Sequence, residues 1–516
     1  MIKKFIEKLM APRVVKQVKA KFGKRVDITL AEHGINRDLV DAKAWEVVTT
    51  LKDAGFEAFI VGGAVRDLLL GLRPKDFDVA TNAEPEEVKR LFKRAFVIGR
   101  RFRIVHVVYG RGREHEVIEV STFRAHLDSA DAEQVSGNEK TSKAALSGMQ
   151  HAVDASGRVL RDNVWGPMEE DAARRDFTIN AMYYDPETQV VVDYHQGLAD
   201  IRKKRIKMIG EPEARYREDP VRIIRAVRFA AKLAASGFKI EPKTAKPLTE
   251  MLSLLHDVPQ SRMFDEMLKF LQTGHGIASI QTLRELGLAK GIYPLLDVIV
   301  ARADEPMINT ALIDTDKRIA LDKGVSPSYL LACVLWRDVN ELWAKKKSRN
   351  EHPFPALQDA IDEVFNTRIG DVSGRGKLAA DMREIWMMQP RFDKRTSSSV
   401  FSLVEHLRFR AGYDFLRLRA ETGEVSVSLA DWWLEFSEVD QAGREDLAKL
   451  AREEQKAAPK VVRAAKVPRV NAADAMPSGE ESDDAALNEG NADAPKKRRC
   501  RRRKPSADLG GASSES

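Results

Sequence analysis

Apolar residues recur at helical spacing from Val40 to Ala54 and stop at Gly55, which predicts a helix over 40–54. A short apolar strand, FIV at 59–61, follows and gives way to Gly62 and Gly63. AVRDLLLG reads as one or two helical turns closed by Gly71. Phe77 and Val79 then alternate with Asp76 and Asp78, the period of a strand. Residues 84–92 return to helical spacing. RIVHVVYG (103–110) and VIEVSTF (117–123) predict two strands paired about the turn GRGREHE. Residues 127–150 have no period and are rich in Ser, Ala, Gly and charge, so a long mobile loop is expected. Order returns with EEDAARRDFTINAMYYD (169–185) and the strand VVVDY (190–194). From about 212 to 450 the patterns are almost all helical. The expected fold is α+β. A basic N-terminal extension (1–39) leads to a head with a small mixed sheet (40–200). A helical neck (201–275), an all-α body (276–454) and a disordered basic tail (455–516) follow. No internal repeat is visible.

Composition narrows the class. The chain has 516 residues, 43% hydrophobic and 32% charged, the balance of a globular protein rather than a disordered one. No apolar run approaches the roughly 20 residues of a membrane helix. Cys333 and Cys500 are the two cysteines, too few and too far apart for a disulfide scaffold or a cysteine zinc site. The N-terminus lacks the apolar core of a secretory signal, so a cytoplasmic location is expected. The net charge of +7 is mild, but its placement is not even. Residues 1–25 hold nine Lys or Arg and one acid, Glu7, and residues 496–504 read KKRRCRRRK. Between them and the folded part, 474–493 carries seven acids, and nothing from 455 to 516 is aromatic, so this segment cannot bury enough surface to order itself. A cationic run on such a tail gathers polyanions in a salt-sensitive way. Nucleic acid is the favoured partner; stable membrane insertion is not expected, and peripheral contact with an acidic membrane stays open.

The densest chemistry lies in VGGAVRDLLLGLRPKDFDVAT (61–81). Two carboxylates at i and i+2 on a strand share a face, and like charges that close need a cation between them. Magnesium, a hard cation, prefers carboxylate oxygens together with phosphates. Gly62 and Gly63 stand directly after a strand, where a backbone must turn and approach a phosphate closely. Arg66 and Asp67 are placed at the start of the next helix, near its positive end. Together these residues suit a nucleoside triphosphate with two Mg²⁺ on Asp76 and Asp78. Two-metal chemistry usually uses a third carboxylate. Glu119, in VIEVSTF, is the geometric candidate, and Asp176, in RRDFTIN, is the other.

Glycine pair, short helix and D-x-D are similar to the nucleotidyltransferase superfamily that includes DNA polymerase β. GGAVRDLLLG…KDFDVAT, RRDFTINAMYYD and EDPVRIIRAVRFAAKL together resemble the bacterial group of tRNA CCA-adding enzymes and poly(A) polymerases, over about residues 50–270. VIGRRFRIVHVVYG (97–110) resembles the poly(A) polymerase version of its segment, and the arginine-rich tail points the same way. The resemblance implies template-independent addition of AMP from ATP to RNA 3′ ends. A CCA-adding enzyme is the alternative, and a non-catalytic RNA-binding protein a remote one. It also implies that Asp176 is catalytic, and that Arg175, Asn180 and Glu218 join Gly62, Gly63, Arg66 and Asp67 around the nucleotide.

Adenine shows a donor at N6 beside an acceptor at N1, and a rigid carboxylate plus arginine matches it. Glu218, Asp219 and Arg222 in REDPVR would supply that pattern, with Pro220 in the first helical turn and Asp219 near the N-cap. Cytosine shows a similar edge, so this reader alone does not separate ATP from CTP. Arg100, Arg101, Arg225, Arg228 and the tail cations Lys496, Lys497, Arg498, Arg499, Arg501, Arg502 and Arg503 are expected to hold RNA through its backbone. RNA-decay proteins stay open as partners. The pair Trp432–Trp433, with Phe409, Tyr413 and Phe415, reads as helix packing rather than as an RNA-stacking platform.

Overall fold

The computed structural model describes residues 22–99, 103–110, 115–125, 133–134, 151–153, 159–162, 164–369, 376–396 and 398–457. They all lie in one compact unit that ends at Ala457. Arg100, Arg101 and every tail cation named above lie outside the described residues, as does most of 127–150.

The head is built on eight strands. In chain order these are β1 (Val26–Ile28), β2 (Ala58–Val61), β3 (Asp78–Thr81), β4 (Ala95–Ile98), β5 (Ile104–Tyr109) and β6 (Glu116–Thr122). Three further strands, β7 (Glu133–Gln134), β8 (His151–Val153) and β9 (Val159–Asp162), form a small separate sheet. β10 (Met182–Asp185) and β11 (Val190–Asp193) complete the main sheet, in the order β1-β11-β10-β2-β3-β6-β5-β4. β1 pairs with β11, so the head sheet begins inside the stretch that the charge pattern sets apart as an extension. Every neighbouring pair in the main sheet is antiparallel except β3 and β6, which run parallel. A parallel pair needs a crossover. Here the chain supplies it through helix Pro85–Leu91 and the β4–β5 hairpin.

Both faces of the sheet are covered, so the central strands are buried along their length. Alternate residues sort the two sides. Ile60 and Val79 join the main core under helix α1 (Ala42–Asp53), whose Ala44, Val47, Val48 and Leu51 are buried. Phe59, Val61 and Ala80 face a second cluster with Phe123, Ala172 and Tyr183. α1 starts at Asp41, whose carboxylate accepts from the backbone N–H groups of Lys43 and Ala44 and so caps the helix.

The neck contains α2 (Pro212–Glu218), α3 (Val221–Leu233) and α4 (Gln260–Leu271). A two-residue parallel pair, β12 (Arg205–Ile206) with β13 (Lys239–Ile240), is the one β element there among the described residues. The body that follows is helical, with its last helices packed on Phe392, Phe409, Tyr413, Trp433 and Phe436. The aromatic group is therefore core packing, with Trp433 and Phe415 fully buried. Among the described residues no helix is long and apolar enough to cross a membrane.

Candidate active site

β2 ends at Val61, which pairs with Asp78, the first residue of β3. Gly62 then takes φ +73, a left-handed conformation that turns the chain into the helix Gly63–Leu69. That turn explains a difference from the sequence reading. Asp76 does not lie on the strand, because β2 has turned away and offers no partner beyond Asp78. The two aspartates still line one cavity of about 780 Å³, together with Glu119. Glu119 is the direct parallel-sheet partner of Asp78, and His106 on β5 pairs opposite it, with Nε2 3.3 Å from the Glu119 carboxylate.

Asp78 is pushed up from its ordinary 3.8 to about 6. Burial is the first cause, although the residue still has substantial solvent contact along the cleft; the charges of Glu119 and Asp76 add to it and Arg175 opposes it. Among the described residues, no three acidic or histidine side chains already close on a common point. Mutual repulsion of uncompensated carboxylates favours that spread.

Asp78 also lines a second cavity, of about 390 Å³. Gly62, Gly63, Arg66, Arg174, Arg175, Asp176, Asn180, Asp219, Arg222, Arg225, Phe229 and Lys232 line it with Asp78. Arg66 is 1% exposed and donates to Asn180 Oδ1 at 2.7 Å. It sits midway along its short helix rather than at the positive end. Asp67 does not line the cavity; it anchors Arg66 at 2.7 Å and Lys232 at 3.5 Å. Arg175 donates to Asp171 and to the Tyr183 hydroxyl. Burial alone would lower its pKa, but Tyr183 and Asp171 outweigh burial and hold it above the ordinary arginine value.

Asp176 is buried and fully engaged. It accepts from the Phe177 N–H at 2.8 Å, from Asn180 at 3.4 Å and from Arg225 at 2.6 Å. Burial would raise its pKa, yet Arg225, the Phe177 N–H and Arg222 together keep it below the ordinary carboxylate range. Arg225, expected at the RNA backbone, is thus locked onto Asp176 inside this cavity. Arg228 lines the larger cavity instead.

The base-reading group differs in detail from its expected form. Asp219 does not cap α3; Pro220 holds that position, and the Asp219 carboxylate reaches Arg262 of α4 at 2.7 Å. Arg222 is held by the carbonyls of Arg215 and Arg174 and by Glu218. Glu218 therefore serves Arg222 and Arg215 and is not among the lining residues. Asp219 and Arg222 do line the cavity together. Phe229, Lys232 and Arg174 line the cavity too; helical spacing alone puts Lys232 on the face of Arg222 and Arg225. The first two had a readable signal: Arg222, Arg225, Phe229 and Lys232 fall on one stripe of α3. Burial lowers the pKa of Lys232, with Asp67 opposing, and pushes Arg174 down to about 9.

Comparison with known proteins now bears on this geometry. The family described as Poly A polymerase head domain matches residues 58–207. The one described as Probable RNA and SrmB- binding site of polymerase A matches 237–299. Polymerase A arginine-rich C-terminus matches 349–469, and so stops short of the cationic run at 496–504. Poly(A) polymerase I of Haemophilus influenzae is 39% identical over 442 residues, 84% of this chain and 92% of that one. The chain belongs to the poly(A) polymerase family. Poly(A) polymerase I of Escherichia coli gives the same picture, 41% over 414 residues, 78% of this chain and 84% of its own. The CCA-adding enzyme of Lactobacillus helveticus is more distant, 35% over 276 residues, covering 52% and 61%. By membership the chain is a polynucleotide adenylyltransferase, a nucleotidyltransferase with ATP as a consistent substrate.

Proposed function

We propose that the 390 Å³ cavity takes ATP and that Asp76, Asp78 and Glu119 form the catalytic carboxylates at its mouth. The observation that carries this reading is the charge balance. Six cationic side chains and three carboxylates line the smaller cavity, a surplus suited to a triphosphate. Gly62, Gly63 and Arg66 lie where the phosphates would rest, and Asp219 with Arg222 would meet the adenine edge. Asp176 then acts as a positioning residue. Its oxygens hold Arg225 and Asn180, so Glu119 is the better third carboxylate.

Magnesium fits the carboxylates. The raised proton affinity of Asp78, driven by burial and then by Glu119 and Asp76, is the behaviour of a cluster short of positive charge. Asp76 and Asp78 would hold two such ions, which when bound would make the attacking hydroxyl more acidic and neutralise the leaving oxygens. The RNA 3′-oxygen bonds to the α-phosphorus, the bond to the β-phosphate oxygen breaks, the hydroxyl proton leaves to solvent and pyrophosphate departs. Arg222, clamped by two carbonyls and Glu218, presents a fixed edge to the base.

The test is to offer the full chain a generic unstructured RNA with each nucleoside triphosphate separately. Long extension with ATP alone is expected. Extension limited to one or two nucleotides, with CTP required on trimmed tRNA, reverses the reading in favour of CCA addition. The cytoplasm, where RNA and ATP meet, is the proposed site of action.

A further inference from the structure

We propose that the 780 Å³ cavity, which shares Asp78 with the smaller one, seats the 3′-terminal nucleotide of the RNA, and that Arg228 and Lys269 grip its last phosphodiester. This rests on the reading that ATP fills the smaller cavity. In-line displacement brings the attacking oxygen to the α-phosphate from the side opposite the departing pyrophosphate. Asp78 lines both cavities, so the second one adjoins the place where that oxygen must arrive. Its carboxylates are Asp41, Asp76, Asp78, Glu116 and Glu119; Arg73, Lys75, Arg228 and Lys269 contribute positive charge to the same cavity, and Lys75 is drawn away by Asp322 at 2.8 Å and the Ile319 carbonyl. A 3′-hydroxyl belongs beside the carboxylates, and the phosphate one nucleotide edge away belongs on the cations.

What sits behind those cations supports the assignment. Glu266, on α4, is 6% exposed and lies 3.8 Å from Arg228 and 3.7 Å from Lys269. Those separations hold the two cations by charge without consuming their donors. Among the described residues, Glu266 Oε2 and Arg228 Nε have no hydrogen-bond partner. Arg225, one turn earlier on α3, is the contrast, because Asp176 takes its Nε and its second nitrogen directly. Arg228 also lies over the Phe229 ring at 5.1 Å, a cation–π contact that leaves its N–H donors available.

The experiment uses the full chain, ATP and oligoadenylate primers in which one linkage is a neutral methylphosphonate. With the wild-type chain, neutralising the last linkage should raise the primer KM about tenfold, the scale of a charge-assisted contact, and an upstream linkage should matter less. Lys269→Ala should raise the KM of the natural primer, respond clearly less than the wild type to the terminal methylphosphonate because Arg228 alone still meets that linkage, and leave the ATP KM alone. Lys269 is 58% exposed on its side chain, so this variant keeps its fold. Arg228→Gln should repeat the pattern. A wild-type chain indifferent to the terminal methylphosphonate overturns the proposal, as does a Lys269→Ala chain that still responds in full. A chain that extends no RNA with ATP overturns the underlying reading as well.

Discussion

The arginines of the neck and those of the helical body are both drawn into ion pairs, but the charge around them is balanced differently. In the body, several are matched by a carboxylate on another element: Arg302 by Asp338 at 2.6 Å, Arg318 by Asp414 at 3.3 Å, Arg417 by Asp314 at 3.2 Å. Arg419 bonds Glu424 and Gln389 and stacks on Trp336. These pairs join helices and leave no local surplus. On the wall of the smaller cavity itself the cations outnumber the carboxylates two to one, with Asp67, Asp171 and Glu218 paired to them from outside the lining. Arg222 there, and Arg215 beside it, are oriented by backbone carbonyls and share the single carboxylate of Glu218. Arginine abundance therefore does not locate a polyanion site in this chain; unbalanced charge inside one cavity does.

The largest expected effect strikes the carboxylate side of that cavity. Asp78→Asn should reduce AMP addition by on the order of 10³-fold, the scale of losing a principal electrostatic stabiliser, while RNA affinity stays close to wild type. A variant that still extends RNA at a tenth of the normal rate would remove Asp78 from the chemistry. The next pair tests the two arginine classes directly. Arg222→Lys keeps the charge but loses the planar fork, so kcat/KM for ATP should fall roughly 10- to 100-fold with thermal stability little changed. Arg419→Met should do the reverse. It leaves the part-exposed Glu424 with only the neutral donors Trp336 and Asn340, a loss of roughly 1–2 kcal/mol of stability, and should leave ATP kinetics alone. Equal losses of stability in both variants would erase the distinction between neck and body.

Much of the head could be read in advance, and the exceptions share one cause. The β2 and β3 segments, the short helix between them and the β5–β6 hairpin follow from local periodicity. The parallel pairing that sets Glu119 beside Asp78 does not, since it depends on where a crossover of some thirty-five residues lands. Asp76 falls off the strand because of the turn at Gly62, a consequence of one backbone angle. The hold of Arg262 on Asp219 spans 43 residues and leaves no local trace. β1 is three residues at a sheet edge inside a basic stretch, where charge masks a strand too short to show a period. The α3 stripe is a different case. Phe229 and Lys232 stand at helical spacing from Arg222 and Arg225, but a ring among arginines carries no charge signal of its own.

The smallest effect concerns protons, and it separates the cavity's two sides. Asp78 holds its proton up to about pH 6 in the folded chain, against an ordinary value of 3.8. Between those values the folded state binds more protons than the unfolded one, so this residue makes stability fall as pH rises through that window, and the deficit persists above it. In chelator-treated protein, Asp78→Asn should therefore melt higher than wild type at pH 8 and converge with it near pH 4. Added Mg²⁺ should raise the melting temperature of the wild type at pH 8 and do far less for the variant, because binding to the folded state alone stabilises it. Asp176 carries the opposite sign. Its pKa is depressed, burial being outweighed by Arg225, so its contribution is present above the ordinary carboxylate value and is lost as pH falls through its lower folded value. Asp176→Asn should accordingly lower the melting temperature at pH 8, where Asp78→Asn raises it. Two aspartates around one nucleotide cavity would then move stability in opposite directions, one lacking a counter-charge and the other already supplied with it.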